Sequence, residues 1–320
     1  MGGGSYISRL LGAKQKDKAE QVASTALITG AIIAIITAVL MLCALNPLLR
    51  FMGATDSILP YARNYTMIFI VSTIFSSTNV ASGNLAVSQG ASTVSLVGMI
   101  TGAVLNMILD PILIYKLDMG VRGAAAATLI SQLVTLSVYI WFFKSGKSYV
   151  RFGFSLFRPA KETYKEVIKI GLSMLFLQVL SSISMSLITR GARAYGDEAV
   201  AALGVVLRIV TLGSNVVFGY MKGFQPMAGF NYGAKNYTRL KEAIRCSIKW
   251  TTVFGVVWTI IIFLTANPLI SQFGTDAEFF AIGQIALRAN SIMFFTFGFQ
   301  FTYSTLYLAL GKAVPGMVLM

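Results

Sequence analysis

Asp110 is the one carboxylate of this chain that falls inside a long apolar run. An acid in that position can exchange a proton or hold a cation, and ionisable groups within apolar spans are functional candidates by default. Asn106 stands four residues earlier, one helical turn away on the same face, and offers an amide to the same ligand. A structural reading stays open, because an Asp-Pro pair near a helix end also satisfies backbone groups freed by the proline or pairs with a nearby arginine. Gln178, Ser182, Asn215 and Gln300 lie near the centres of apolar runs in the second half, and Asn79 in the first. Neutral amides and hydroxyls suit a cavity that takes large, mostly apolar ligands with few fixed contacts. They suit interhelical hydrogen bonds equally well. Arg208, Lys222 and Arg288 are cations embedded in apolar sequence. Arg208 is expected to face the bundle interior and Lys222 to snorkel toward an edge.

Other chemistries are excluded. There is no histidine, so histidine metal sites, proton shuttles and Ser-His-Asp triads are out. Cys43 and Cys246 have no motif spacing and read as buried neutral thiols, without disulfide or metal. No phosphate-cradling Gly-rich loop with its lysine and no nucleophile elbow occurs, so neither an ATP-driven pump nor a membrane enzyme has support.

The elements that must position these residues are membrane helices. Of the residues, 56% are hydrophobic and 12% charged, against roughly a quarter charged in soluble domains. A span needs roughly 20 mostly apolar residues. The runs 22–48, 58–86, 92–115, 122–143, 166–190, 199–229, 247–270 and 280–310 qualify. Backbone polar groups in lipid must be satisfied within the segment, which makes these helices. Pro111, Pro226 and Pro315 lie in or near such runs and are expected to bend or end them.

Lys+Arg number 26 against 12 Asp+Glu, a net charge of +14. With the segment before 22 taken as cytoplasmic, the basic residues at 9–18, 144–169 and 235–249 all fall on that side, and far fewer on the other. The positive-inside rule then fixes the orientation and accounts for the charge without a nucleic-acid partner.

A repeat organises the chain. Gly12-Ala13-Lys14 recurs as Gly233-Ala234-Lys235; Asn46-Pro47-Leu48 recurs as Asn267-Pro268-Leu269 and Gly53 as Gly274, all at one offset. Each copy is a basic lead-in, an apolar span and an Asn-Pro turn. An even number of spans separates the copies, so they share one orientation, a parallel repeat of the kind found in transporters. The second copy is preceded within its half by two spans, the first by a short segment only. One span and most of another are therefore expected upstream of Met1, and an eleventh span is expected to be cut at Met320. The lobes expected are 1–144 and 166–320, joined by a cytoplasmic linker at 145–165.

The stretches that carry the repeat also resemble a known family. Gly3-Gly4-Ser5-Tyr6-Ile7-Ser8-Arg9-Leu10-Leu11-Gly12-Ala13-Lys14 is similar to the end of the second helix of the multidrug and toxic compound extrusion (MATE) transporters. Asn106-Met107-Ile108-Leu109-Asp110-Pro111, with Gly120-Val121-Arg122-Gly123-Ala124 and the small residues after it, resembles the fifth and sixth. Gln225-Pro226-Met227-Ala228-Gly229-Phe230-Asn231-Tyr232-Gly233-Ala234-Lys235 resembles the end of the eighth. The resemblance implies twelve helices in two lobes, a central cavity, and drug export driven by sodium or proton inflow. Some members carry an acidic cation site on a first helix. Others carry a glutamate in the seventh and an aspartate in the tenth, where this chain has Gln178 and no acid within 280–310.

The fold class expected is therefore an all-α polytopic membrane protein: two parallel-repeat six-helix lobes, with about eight complete helices present of twelve. The function expected is secondary antiport in the bacterial plasma membrane, by a monomer. Asp110, Asn106 and Gln178 are the coupling candidates, and Asn79, Ser182, Asn215, Gln300 and Arg208 line the cavity. The only cofactor is Na+ or H+ as the coupling ion; the partners are the bilayer and small organic substrates. A lipid or lipid-linked oligosaccharide flippase and a non-transporting scaffold are the alternatives. An open flank would destabilise the chain expressed alone; a monodisperse, thermally stable preparation would contradict this.

Overall fold

The computed structural model describes residues 2–51, 55–56, 58–274 and 276–319. In chain order the helices are α1 (Gly2–Gly12), α2 (Lys16–Cys43), α3 (Leu45–Phe51), α4 (Leu59–Ser88), α5 (Ser92–Pro111), α6 (Gly120–Lys144), α7 (Lys161–Arg193), α8 (Asp197–Gly233), α9 (Tyr237–Ser271), α10 (Ala277–Ile292), α11 (Phe294–Ala309) and α12 (Ala313–Val318). A π-helical turn, Ile112–Lys116, extends α5. Among the described residues, 7 helices are long and apolar enough to cross a membrane: α2, α4, α5 with its π turn, and α6 to α9.

The last expected span, 280–310, is a bent pair, which brings the spans among the described residues to up to 8 if the pair is one span. α10 and α11 meet at 45°. Neither proline nor glycine stands at the break. Side chains enter the helical ladder there, which is a recognised cause of kinks. Thr259 Oγ1 donates to the Ser291 carbonyl at 2.7 Å, and Ser291 Oγ to the Arg288 carbonyl at 2.8 Å.

The Gly-Ala-Lys copies end their helices in the same way. Lys14 (φ 59°) and Lys235 (φ 56°) both take the left-handed conformation just after the last helical turn, as helix ends commonly do. The Asn-Pro copies diverge. The first span breaks at Ala44, and Pro47 sits in the first turn of α3, where a missing N–H does no harm. The second runs through Pro268 to Ser271. Gly53 lies outside the described residues. At the start of α10, Asp276 Oδ1 accepts from the Glu278 N–H at 2.9 Å, an N-cap.

The chain divides into two compact units. The first holds Lys14–Tyr164, with α4 packed on α6, α2 and α5. Its α5–α6 seam is made by small residues. Gly98 and Gly102 lie one turn apart on α5, a pattern that lets membrane helices approach closely. A Cβ added to Gly98 would sit 2.7 Å from Tyr139 Cζ, and Tyr139 is almost wholly buried. Tyr139 OH donates to the Ser95 carbonyl at 3.2 Å. Residues after α6 are tied back within the same unit. Glu20 Oε1 accepts from the Arg151 N–H at 3.1 Å, and Gln89 Oε1 from the Val150 N–H at 3.1 Å.

The second unit holds Gly4–Ala13 and the chain from Lys165 onward. One buried cluster, including Met221, Phe224, Leu240 and Phe301, joins α8, α9 and α11. Another, including Val206, Ile262, Ile270 and Leu287, joins α8, α9 and α10. Between them a Cβ on Gly255 would strike the Phe294 carbonyl oxygen. Both cysteines are exposed, not buried as expected. Cys43, within the first span, has no need of a protein core in lipid, because a thiol behaves as a small hydrophobe and the surroundings there are already apolar. Gly98→Ala is expected to lower stability by about 1–3 kcal/mol through overpacking against Tyr139. A thermal midpoint in detergent equal to that of the unaltered protein would contradict that contact.

Candidate functional site: polar groups within the spans

Asp110 closes the regular part of α5. Asn106 Nδ2 donates to Asp110 Oδ1 at 3.4 Å, near the long limit of a hydrogen bond, and both side chains are half-buried. Pro111 follows and has no N–H to give, and the turn after it is π-helical. Single π turns within helices concentrate at functional sites. α6 supports this irregular turn, since a Cβ on Gly123 would lie 2.7 Å from the Leu113 carbonyl. The alternative of a pairing with arginine does not occur, for among the described residues Asp110 joins no ion pair. Its oxygens are held loosely by one amide beside a widened turn of backbone, an arrangement able to take a proton or a small cation.

Asn79 behaves differently. It is 6% exposed, and its Nδ2 donates to both the carbonyl and Oε1 of Gln132 on α6, each at 2.8 Å. This is an interhelical clamp between α4 and α6. Gln132 escaped the sequence reading, although an amide in an apolar run marked it as plainly as Asn79.

Gln178 and Ser182 share one face of α7 and are exposed; Ser182 Oγ donates back to the Gln178 carbonyl at 2.9 Å. With Ser181, Ser186, Thr189 and Arg190 they line an open depression of ≈ 770 Å³. Asn215 and Arg208 on α8 are exposed, and Gln300 on α11 is half-buried. Arg208 was expected to face the interior, but α8 turns Ala202, Val205 and Val206 inward at that level and leaves Arg208 outside the packed core. Arg288 Nη2 donates to Asn267 Oδ1, beside Pro268 near the end of α9, at 3.1 Å. No group of three or more potential metal ligands occurs among the described residues. The structure thus brings together Asn106 with Asp110 and Gln178 with Ser182, while Asn79 is drawn to Gln132.

Apolar spans, small-residue seams and a few polar groups within the spans define a polytopic helical membrane protein. The comparisons agree and name the kind. The MatE family profile matches residues 1–112 and 170–320, and the chain belongs to the MatE family. The "Multidrug export protein MepA" of Staphylococcus saprophyticus is 30% identical over 304 residues, covering 94% of this chain and 67% of that protein. The structure of a MATE transporter in the straight conformation superposes with a TM-score of 0.93 at 28% identity, over 99% of this chain and 71% of the other. An outward-facing multidrug resistance MATE family transporter of the MOP superfamily matches with a TM-score of 0.93 at 27% identity, over 99% and 71%.

Removing one partner of the α4–α6 clamp strands the other. Asn79→Ala is expected to cost about 1–3 kcal/mol, whereas Asn79→Leu with Gln132→Leu, which removes both, should cost less. Thermal unfolding in detergent measures both; a double variant worse than the single one would refute the clamp.

Proposed function

We propose that the chain performs secondary active export of drugs or other organic, often cationic, compounds across the bacterial plasma membrane, in exchange for Na+ or H+. The observation that carries the coupling is the pairing of Asp110 with Asn106 beside the π turn. An acid that joins no ion pair within a span gains most from binding a cation, because the alternative is a charge facing low dielectric alone. Irregular backbone at membrane depth is tolerated where it lines a cavity, which supports placing the ion there. The exposed face of α7, with Gln178 and Ser182, together with Asn215 on α8 supports a substrate surface of neutral hydrogen-bonding groups. Antiport follows if cation and substrate favour opposite-facing states, since each ligand shifts that equilibrium only by its differential affinity. No cofactor besides the ion enters, and the reading needs only a monomer.

Ethidium efflux from vesicles under an imposed sodium or proton gradient tests this. Asp110→Asn should reduce gradient-driven efflux by about tenfold or more, within the usual range of coupling between two ligands. Wild-type efflux by the Asp110→Asn protein under both gradients would remove Asp110 from the mechanism.

A further inference from the structure

Directly after α6 the chain folds back across the helix ends of the first unit. Gly146, in the left-handed conformation at φ 73°, makes the turn. The backbone that follows is held at several points. Besides the bonds of Val150 to Gln89 and of Arg151 to Glu20, the Gly153 N–H donates to Ser24 Oγ at 3.4 Å. The Arg158 N–H donates to Thr25 Oγ1, and that hydroxyl donates to the Arg158 carbonyl, each at 3.2 Å. Phe152 packs on Phe143 of α6 with ring centroids 4.3 Å apart. The segment is thus fixed over the start of α2 and the ends of α4 and α6, on the side that the positive-inside rule places in the cytoplasm.

What it leaves outward is of two kinds. Tyr149 and Phe154 are 60% and 87% exposed, and Trp141 in the last turn of α6 is 63% exposed. Beside them stand Lys144, Lys147, Arg151 and Arg158, all exposed, with Lys16 from the start of α2. Between Trp141 and Lys161 the sequence has no acid. Glu20 is buried on the Arg151 N–H, and Glu162 pairs with Lys18, which leaves Asp17 against this basic group. Cation and ring also meet in pairs. Lys16 Nζ lies 4.6 Å from the centre of the Tyr149 ring, and Lys147 Nζ lies 5.3 Å from that of Trp141. A phospholipid surface takes both kinds at once. Its interface accepts aromatic rings, and its anionic headgroups attract lysines and arginines just beyond a span. A soluble anion would have no use for the bare ring of Phe154, and charge that only sets topology would have no use for a pinned backbone.

We propose that residues 141–158, with Lys16, form a docking surface for anionic phospholipid headgroups of the cytoplasmic leaflet. The exposed rings seat in the interface, and Lys16, Lys144, Lys147 and Arg151 hold the headgroup phosphate. Because the backbone is already fixed, little order is lost when the lipid binds, which favours tight and selective binding. The proposal needs only that the chain spans a membrane and is independent of what it exports.

A fluorophore on Ser155→Cys, in the chain with Cys43→Ser and Cys246→Ser, reports on this surface. In detergent micelles, brominated phosphatidylglycerol should quench it at a several-fold lower mole fraction than brominated phosphatidylcholine. Removing Lys144, Lys147 and Arg151 together as glutamines should raise the phosphatidylglycerol midpoint, by about fivefold per charge near a lipid surface, until the two lipids quench alike. Phe154→Ala should raise both midpoints together. Inorganic phosphate at constant ionic strength should leave the preference intact. Equal quenching by the two lipids in the otherwise unaltered chain, or a preference that survives the triple substitution, would overturn the proposal. Loss of the preference to phosphate would assign the surface to a soluble anion and overturn it as well. Should the triple variant not fold, salt takes its place. About 0.5 M sodium chloride should abolish the preference by screening, and a preference unmoved by salt would overturn the proposal.

Discussion

Lipid offers helices no gain for hiding apolar surface against one another, since the surroundings are as apolar as leucine. What holds this chain together must therefore be close packing and hydrogen bonds. Both depend on places where a side chain is missing. Gly98 admits the ring of Tyr139, Gly255 admits the backbone at Phe294, Gly123 admits the π turn at Leu113, and Gly12 and Gly233 admit one another's helices. Once backbones come that near, short polar side chains reach across. Tyr139 finds the Ser95 carbonyl, and Thr259 finds Ser291.

The same economy separates the polar residues by task. Asn79 spends its amide on Gln132 and is locked inside the first unit. Asp110 has one long hydrogen bond and, among the described residues, joins no ion pair. Both are rare polar residues in apolar sequence, and only their partners tell them apart. The Asn79 amide nitrogen, engaged twice, ties α4 to α6, while its Oδ1 is buried without a partner and Asp110 is held by a single long bond.

Much of this was legible in the sequence. Hydropathy and length delimit the helices well, because a span must be long, apolar and internally bonded whatever its neighbours are. The Gly-Ala-Lys repeat marked helix ends that share a left-handed lysine. The bend between α10 and α11 was not legible, because no proline or glycine marks it and the hydroxyl of Thr259 reaches the Ser291 carbonyl from a different helix. Nor was the outward turn of Arg208, since inward and outward faces of a membrane helix differ little in hydrophobicity. Gly98 could have been found from its spacing to Gly102. The ion pair of Arg9 with Glu166 could not, for nothing local links residues so far apart in sequence.

Gly12 faces the backbone at Phe230 and Gly233 the backbone at Arg9, and this reciprocal contact has a consequence for both copies of the repeat. Elsewhere each copy of the repeat meets its own neighbours, and the two Asn-Pro-Leu triplets, identical in sequence, sit in different helical contexts. At this crossing each copy is the other's environment. A side chain gained on one would collide with the backbone of its twin, so neither can change alone. The point where the two copies touch is thereby where each limits the side chain the other can carry.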